Sequence, residues 1–162
     1  MPDKQATPDL EDIQRKNFEA VNRGDIEATM SDFRPDAVWD DSAIGLGTHE
    51  GLPAIRKRLE EWMGSFEDLE VVGEELRDLG NGVVLVVSLQ KGRPRGSIGF
   101  VQLRYATITI WAEGSMERFT RYTDIDEARA AAEWLADSGP ALSLWSFPRT
   151  ARRVFMIGCL TR

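Results

Sequence analysis

The chain has 162 residues, 42% of them hydrophobic and 29% charged, the balance of one soluble domain that can bury a core without disulfides or metals. Its formal net charge of -7 argues against nucleic acid, whose phosphates demand a surplus of Lys and Arg at the contact. Cys159 is the only cysteine, so an intrachain disulfide is excluded; no run approaches the roughly 18 to 20 apolar residues that span a bilayer, and a cytoplasmic location with no membrane partner is the expectation.

Met1 to Asp9 is acidic and contains prolines, and reads as a flexible start without the apolar stretch of a secretory signal. Leu10, Ile13, Asn17, Ala20 and Val21 recur at helical spacing and predict an amphipathic helix ending at Gly24. Asp25 offers the N-cap of a short second helix through Ile26, Ala28, Met30 and Phe33, which Pro35 ends. Ala37 to Asp41 reads as a short strand, with Val38 and Asp40 sharing one face by period-two alternation. Ser42 to Gly51, with three glycines, is expected to be a loop. Pro53 opens a third helix with the stripe Leu52, Ile55, Leu59, Trp62 and Met63.

The period then changes. Phe66 to Leu79, Val83 to Gln90, Ile98 to Trp111 and Met116 to Thr123 favour strand, broken at Gly80-Asn81-Gly82, at Gly92 to Gly96 and at Glu113-Gly114. Such short breaks make neighbouring strands antiparallel. Asp124 or Asp126 caps a last helix bearing Ala128, Ala131, Ala132, Trp134 and Leu135. Beyond it the composition turns. Residues 139–162 hold four arginines and no acid, and subtracting that +4 from -7 leaves the first 138 residues at -11. The reading is therefore a flexible start over 1–9, one α+β domain over 10–137, and a basic, apolar extension over 138–162 that packs on the sheet or stands as an addition without a role.

Asn17-Phe18-Glu19-Ala20-Val21-Asn22-Arg23-Gly24-Asp25, Ala37-Val38-Trp39-Asp40, Gly47-Thr48-His49-Glu50-Gly51-Leu52, Tyr105-Ala106 and Arg121-Tyr122-Thr123 occur in an order that resembles the SnoaL-like branch of the nuclear transport factor 2 superfamily. The resemblance covers roughly residues 10 to 136. It implies a cone-shaped, strongly curved antiparallel sheet with three N-terminal helices closing its mouth around a pocket, and commonly a homodimer. It also implies a scaffold shared by ketosteroid isomerases, polyketide cyclases, dehydratases, epoxide hydrolases and plain binding modules, so the pocket must decide the function.

Asp40 is the first candidate. A carboxylate facing an apolar cavity has a raised pKa and serves as a general base, and the resemblance puts the isomerase base on this strand. The alternative is a strand-end carboxylate that caps the next loop or meets an arginine; Asp41 is read as that solvated, structural one. Ketosteroid isomerases pair their base with enolate-stabilising groups. The positions matching those partners are Asn17, Leu59 and Ala106, which lack the phenol and acid that the chemistry uses.

Asn17 interrupts an apolar stripe, so its amide meets either a pocket ligand or a neighbouring backbone. Arg104 shares a face with Phe100, Gln102, Ala106 and Ile108, and is a pocket cation if that face is concave and a surface residue otherwise. Arg121 is read as surface. His49, the one histidine, either pairs with Asp40 or packs at the start of the third helix, and alone cannot build a metal site. Trp62 belongs to the pocket wall. No metal and no cofactor is expected. The readings are a cofactor-independent enzyme using Asp40 on a small apolar or weakly anionic molecule, a non-catalytic binding module, and a dimerising module.

Overall fold

The computed structural model describes residues 9–139; the predicted basic extension, apart from its first two residues, and nearly all of the N-terminal segment lie outside that range. Helix α1 (Leu10–Asn22) starts at Asp9, whose carboxylate accepts from the backbone N–H groups of Glu11 and Asp12 at 3.1 and 3.2 Å. It ends before Gly24, whose positive φ of 69° suits a residue without Cβ. Asp25 caps α2 (Ile26–Met30) through the Ala28 N–H, and Pro53 sits in the first turn of α3 (Leu52–Gly64). Asp124 caps α4 (Ile125–Ser138) through the Glu127 N–H.

Six strands form one curved sheet: β1 (Phe33–Asp40), β2 (Thr48–Glu50), β3 (Phe66–Asp78), β4 (Val83–Pro94), β5 (Val101–Ala112) and β6 (Ser115–Tyr122). Their order is β2-β1-β6-β5-β4-β3. All neighbours are antiparallel except β1 and β6, which run parallel. This is the α+β arrangement expected, with two corrections. The second helix stops at Met30, so Phe33 belongs to a strand, and the glycine-rich loop contributes the short strand β2. Pro35 does not end a helix. It lies where the β1–β6 register shifts between Phe33 and Val38, and there its missing N–H breaks no ladder bond.

The two faces of the sheet bury two different cores. Val84, Val86, Trp111, Met116, Trp39 and Ala37 point inward and pack with α1, α2 and α3 through Leu10, Val21, Met30, Ile55, Leu59 and Trp62. Val83, Leu85, Val87, Ala106, Ile108 and Ile110 point outward beneath α4, whose Ala128, Ala132 and Ala136 let the helix approach closely. Burial on both faces explains why β4 opens as an unbroken apolar run rather than an alternation. Helix α1 is tied to the edge strand β3 by Asn22, whose amide donates to Val71 O at 2.9 Å and accepts from Val71 N at 2.8 Å. Opposite Phe18, a Cβ on Gly73 would lie 2.9 Å from the ring, so glycine there lets α1 settle onto the strand. Among the described residues no helix is long and apolar enough to cross a membrane.

Candidate functional site

Between α1 and the inner face of the sheet lies a cavity that gives about 40 Å³ to the centre of a water-sized molecule, room for a few waters. Helix α1 presents Gln14, Asn17, Phe18 and Val21 to it, and α3 presents Leu59 and Trp62. The sheet contributes Trp39, Ser88, Tyr105, Thr107, Phe119 and Arg121. The register accounts for this set. Ser88 pairs with Tyr105, Val86 with Thr107 and Thr107 with Arg121, so these side chains rise from the same face, as do Trp39 and Phe119, stacked with centroids 4.1 Å apart.

No Asp, Glu or His lines the cavity among the described residues, and Arg121 is its one charged group. Arg121 is 3% exposed, and its guanidinium lies 4.5 Å from the Tyr105 ring centroid and 5.7 Å from that of Trp62. Its Nε lies 3.0 Å from Asp41 Oδ1, an ion pair whose geometry falls short of a hydrogen bond. Its Nη2, also buried, has no hydrogen-bond partner among the described residues. Asp41 is fully buried, and its other oxygen, Oδ2, accepts from Arg58 Nε at 2.7 Å. The backbone of Asp41 closes the loop that follows, its N–H donating to Gly47 O at 2.8 Å and its carbonyl accepting from the N–H groups of Ile44 and Leu46.

Trp62 donates from Nε1 to Gln90 Oε1 at 3.1 Å, which fixes its indole against the guanidinium. Gln14 is 5% exposed and its Oε1 lacks a partner among the described residues. Asn17 donates to Thr29 O at 3.2 Å and also bonds Asp32, whose carboxyl is raised by burial and only partly lowered by that bond. The Tyr105 hydroxyl is pushed up by burial; Arg121 lowers it, Asp41 raises it and a hydrogen bond with Ser88 lowers it, and the balance keeps the phenol neutral.

Several sequence expectations change here. Asp40 does not line the cavity: it stands on the outer face with Val38, opposite Thr120 and Arg118, while Ala37 and Trp39 take the inner face. Burial pushes its carboxyl up, but hydrogen bonds from Ser42 and Arg118 outweigh this and hold it below the ordinary carboxylate value. That is the opposite of the raised pKa expected of a base in an apolar pocket. Arg104 is likewise on the outer face, exposed and paired with Glu74 at 2.5 Å, because Tyr105 and Thr107 are the inward residues of β5. Arg121, read as surface, is instead buried. His49 lies on β2 opposite Trp39, half-buried, outside the cavity lining, with its Nε2 unpartnered among the described residues. Asn17 and Trp62 stand on the wall.

Gln14 and Tyr105 were missed, and Asp41, expected to be solvated, is fully buried. Gln14 follows Leu10 by four residues and precedes Asn17 by three, so the helical stripe carried a signal for it. Tyr105 sits one residue from the candidate Arg104, on the other strand face, and Asp41 directly follows Asp40 at the end of β1. Among the described residues no group of His, Cys, Asp and Glu side chains could hold a metal ion.

The SnoaL-like domain family matches residues 15–125 of the sequence. The chain belongs to this family. Among solved structures it resembles a hypothetical protein with a ketosteroid isomerase-like fold from Catenulispora acidiphila, in complex with trimethylamine, at 18% identity and a TM-score of 0.63, over 86% of this chain and 98% of that one. A nuclear transport factor 2-like protein from Burkholderia thailandensis matches at 22% identity and a TM-score of 0.63, over 78% of this chain and 98% of that one. SalBIII, an epoxide hydrolase/cyclase-like enzyme of pyran ring formation in polyether salinomycin, matches at 18% identity and a TM-score of 0.61, over 68% of this chain and 87% of that one. No curated protein matches the sequence significantly. The SnoaL-like domain here thus shares its fold with proteins of differing described roles.

Proposed function

We propose that this SnoaL-like chain binds a small molecule in the cavity between α1 and the sheet, acting as a binding module rather than through a carboxylate general base. The observation that carries this reading is the cavity wall itself. It converges several polar groups, Gln14, Asn17, Tyr105 and Arg121, within aromatic and aliphatic surroundings, and it includes no carboxylate or imidazole among the described residues. Apolar walls with a few placed polar groups are the usual construction of a small-molecule site.

The test is a screen of the purified full chain against small metabolites by native mass spectrometry, repeated on Val21→Phe. Val21 lines the cavity from α1, and a phenyl there fills it. We expect wild-type protein to retain ligands that Val21→Phe loses while its circular dichroism is unchanged. Ligands held equally by both proteins would place binding elsewhere.

A second reading has its own support. A neutral Tyr105 beside the Arg121 cation forms a pair able to polarise a carbonyl or epoxide oxygen, as a cofactor-independent enzyme of the cyclase, isomerase, dehydratase or hydrolase type requires. Turnover of a bound ligand that Tyr105→Phe abolishes without weakening its binding would favour this reading. In neither does Asp40 touch the ligand.

A further inference from the structure

The buried charges beside the cavity do not balance. Arg58 and Arg121 are 6% and 3% exposed, and both turn to a single carboxylate, that of Asp41. Arg58 makes the well-formed hydrogen bond, to Oδ2, while Arg121 keeps Nη2 unpartnered among the described residues, in a side chain that lines the cavity. A guanidinium removed from water is costly unless charge and hydrogen bonds compensate it, and one carboxylate shared between two such groups leaves a positive charge over. The other acid near this wall, Asp32, bonds Asn17, and no ion pair joins it to Arg121 among the described residues.

Resting on the cavity being the binding site, we infer that its ligand is a compact oxyanion, of which a short-chain carboxylate is the simplest, received by the Arg121 guanidinium. A carboxylate supplies what Arg121 lacks: an acceptor for Nη2 and a negative charge in a setting where water does not screen it. The rings of Trp62 and Tyr105 already lie against the guanidinium, at 5.7 and 4.5 Å, and a guanidinium's hydrogen bonds lie in its own plane. The space, room for a few waters, suits the smallest organic acids before any side chain moves. The same excess charge disfavours a small ammonium cation.

Propionate, its neutral near-isostere propionamide, and trimethylammonium serve as probes. Each is titrated into the full chain while the indole N–H signal of Trp62 and the guanidinium Nε–H signal of Arg121 are followed by nitrogen-15 NMR. We expect propionate to shift both signals saturably, propionamide to bind at least about tenfold more weakly, as loss of one charge-assisted hydrogen bond implies, and trimethylammonium not to bind. Arg121→Met should abolish the propionate response in the Trp62 signal. Arg58 remains to hold Asp41 in that variant. Should it not fold, Arg121→Lys keeps the charge without the fork and should bind propionate several-fold more weakly while still rejecting propionamide.

Equal binding of propionate and propionamide, or propionate binding unaffected in Arg121→Met, would overturn the oxyanion assignment and leave the pocket reading standing. No response to any carboxylate, with neutral ligands still lost in Val21→Phe, would do the same. If propionate bound wild type and Val21→Phe alike, the cavity would not be the site, and both readings would fall.

Discussion

Asp40 and Asp41 are chain neighbours with opposite surroundings. Asp41 is sealed between two arginines, and Asp40 meets Arg118 on the outer face at 2.8 Å, where the arginine remains 37% exposed. Replacing Asp41 by Asn leaves two buried guanidinium groups without a counter-charge, a change that costs about 3 to 5 kcal/mol. Asp40→Asn breaks a partly solvated pair worth about 1 kcal/mol. Chemical denaturation of both variants should show this ranking, and equal losses would contradict it. The Asp40 effect also has a pH signature. Its pKa is lowered on folding from an ordinary 3.8, so the unfolded chain binds more protons than the native one in that range. Its contribution is therefore complete above the unfolded value and is lost as pH falls through the folded value. The stability gap between wild type and Asp40→Asn should close on acidification and stay constant from pH 6 to 8. Alternation in the sequence correctly grouped Val38 with Asp40, but it carries no sign that says which face is inside. On β1 and β5 both faces hold apolar residues, so periodicity was satisfied either way, and the inward set of Trp39, Tyr105 and Arg121 emerged only from the packing.

At the level of elements the sequence was more informative, because glycines and caps act locally. Gly24, Asp25, Pro53 and Asp124 mark helix ends where the backbone places them, and the four long strands begin and end within a few residues of the expected breaks. The parts missed depend on distant contacts. Strand β2 exists because Thr48 to Glu50 find β1, and Phe33 becomes strand because it meets Met116. The β3–β4 turn shows how a local signal can hide a tertiary one. Gly80 and Gly82 both have positive φ, of 85° and 75°. A Cβ on Gly80 would meet nothing within 4 Å, whereas one on Gly82 would lie 2.1 Å from the Trp111 carbonyl oxygen. The Gly82 carbonyl meanwhile accepts from Trp111 N at 2.8 Å. Gly80→Ala should therefore cost only the left-handed strain of about 1 kcal/mol. Gly82→Ala should cost more than about 2 kcal/mol, because backbone must move. Thermal unfolding of the two variants separates them, and equal shifts would show that the turn relaxes freely.

The whole molecule carries its charge and its uncovered apolar surface in different places. Helix α4 covers the outer face of β4 and β5 only over Val83 to Val87 and Ala106 to Ile110. Before β5 the side chains of Ile98 and Phe100 are exposed, Phe100 by 68%, and at its start Val101 and Leu103, on the inner face that Tyr105 continues, are exposed too, Leu103 by 45%. Monomers seldom leave such side chains together in water. This end of the sheet is the surface we propose for the homodimer that the resemblance implies. Two copies of a chain with net charge -7 repel one another, so association through apolar contacts should strengthen as salt screens that repulsion. Light scattering across an ionic-strength series should give a dimer whose fraction rises from low salt to moderate salt. Phe100→Asp and Leu103→Asp should each shift the chain toward monomer without lowering its melting temperature by more than a few degrees, since neither side chain is buried in the domain. A monomer at every salt concentration, or a dimer indifferent to both substitutions, would remove this surface from the proposal. A dimer that weakened with salt would instead point to contacts between opposite charges, for which the acidic first 138 residues and the +4 of residues 139–162 supply both signs.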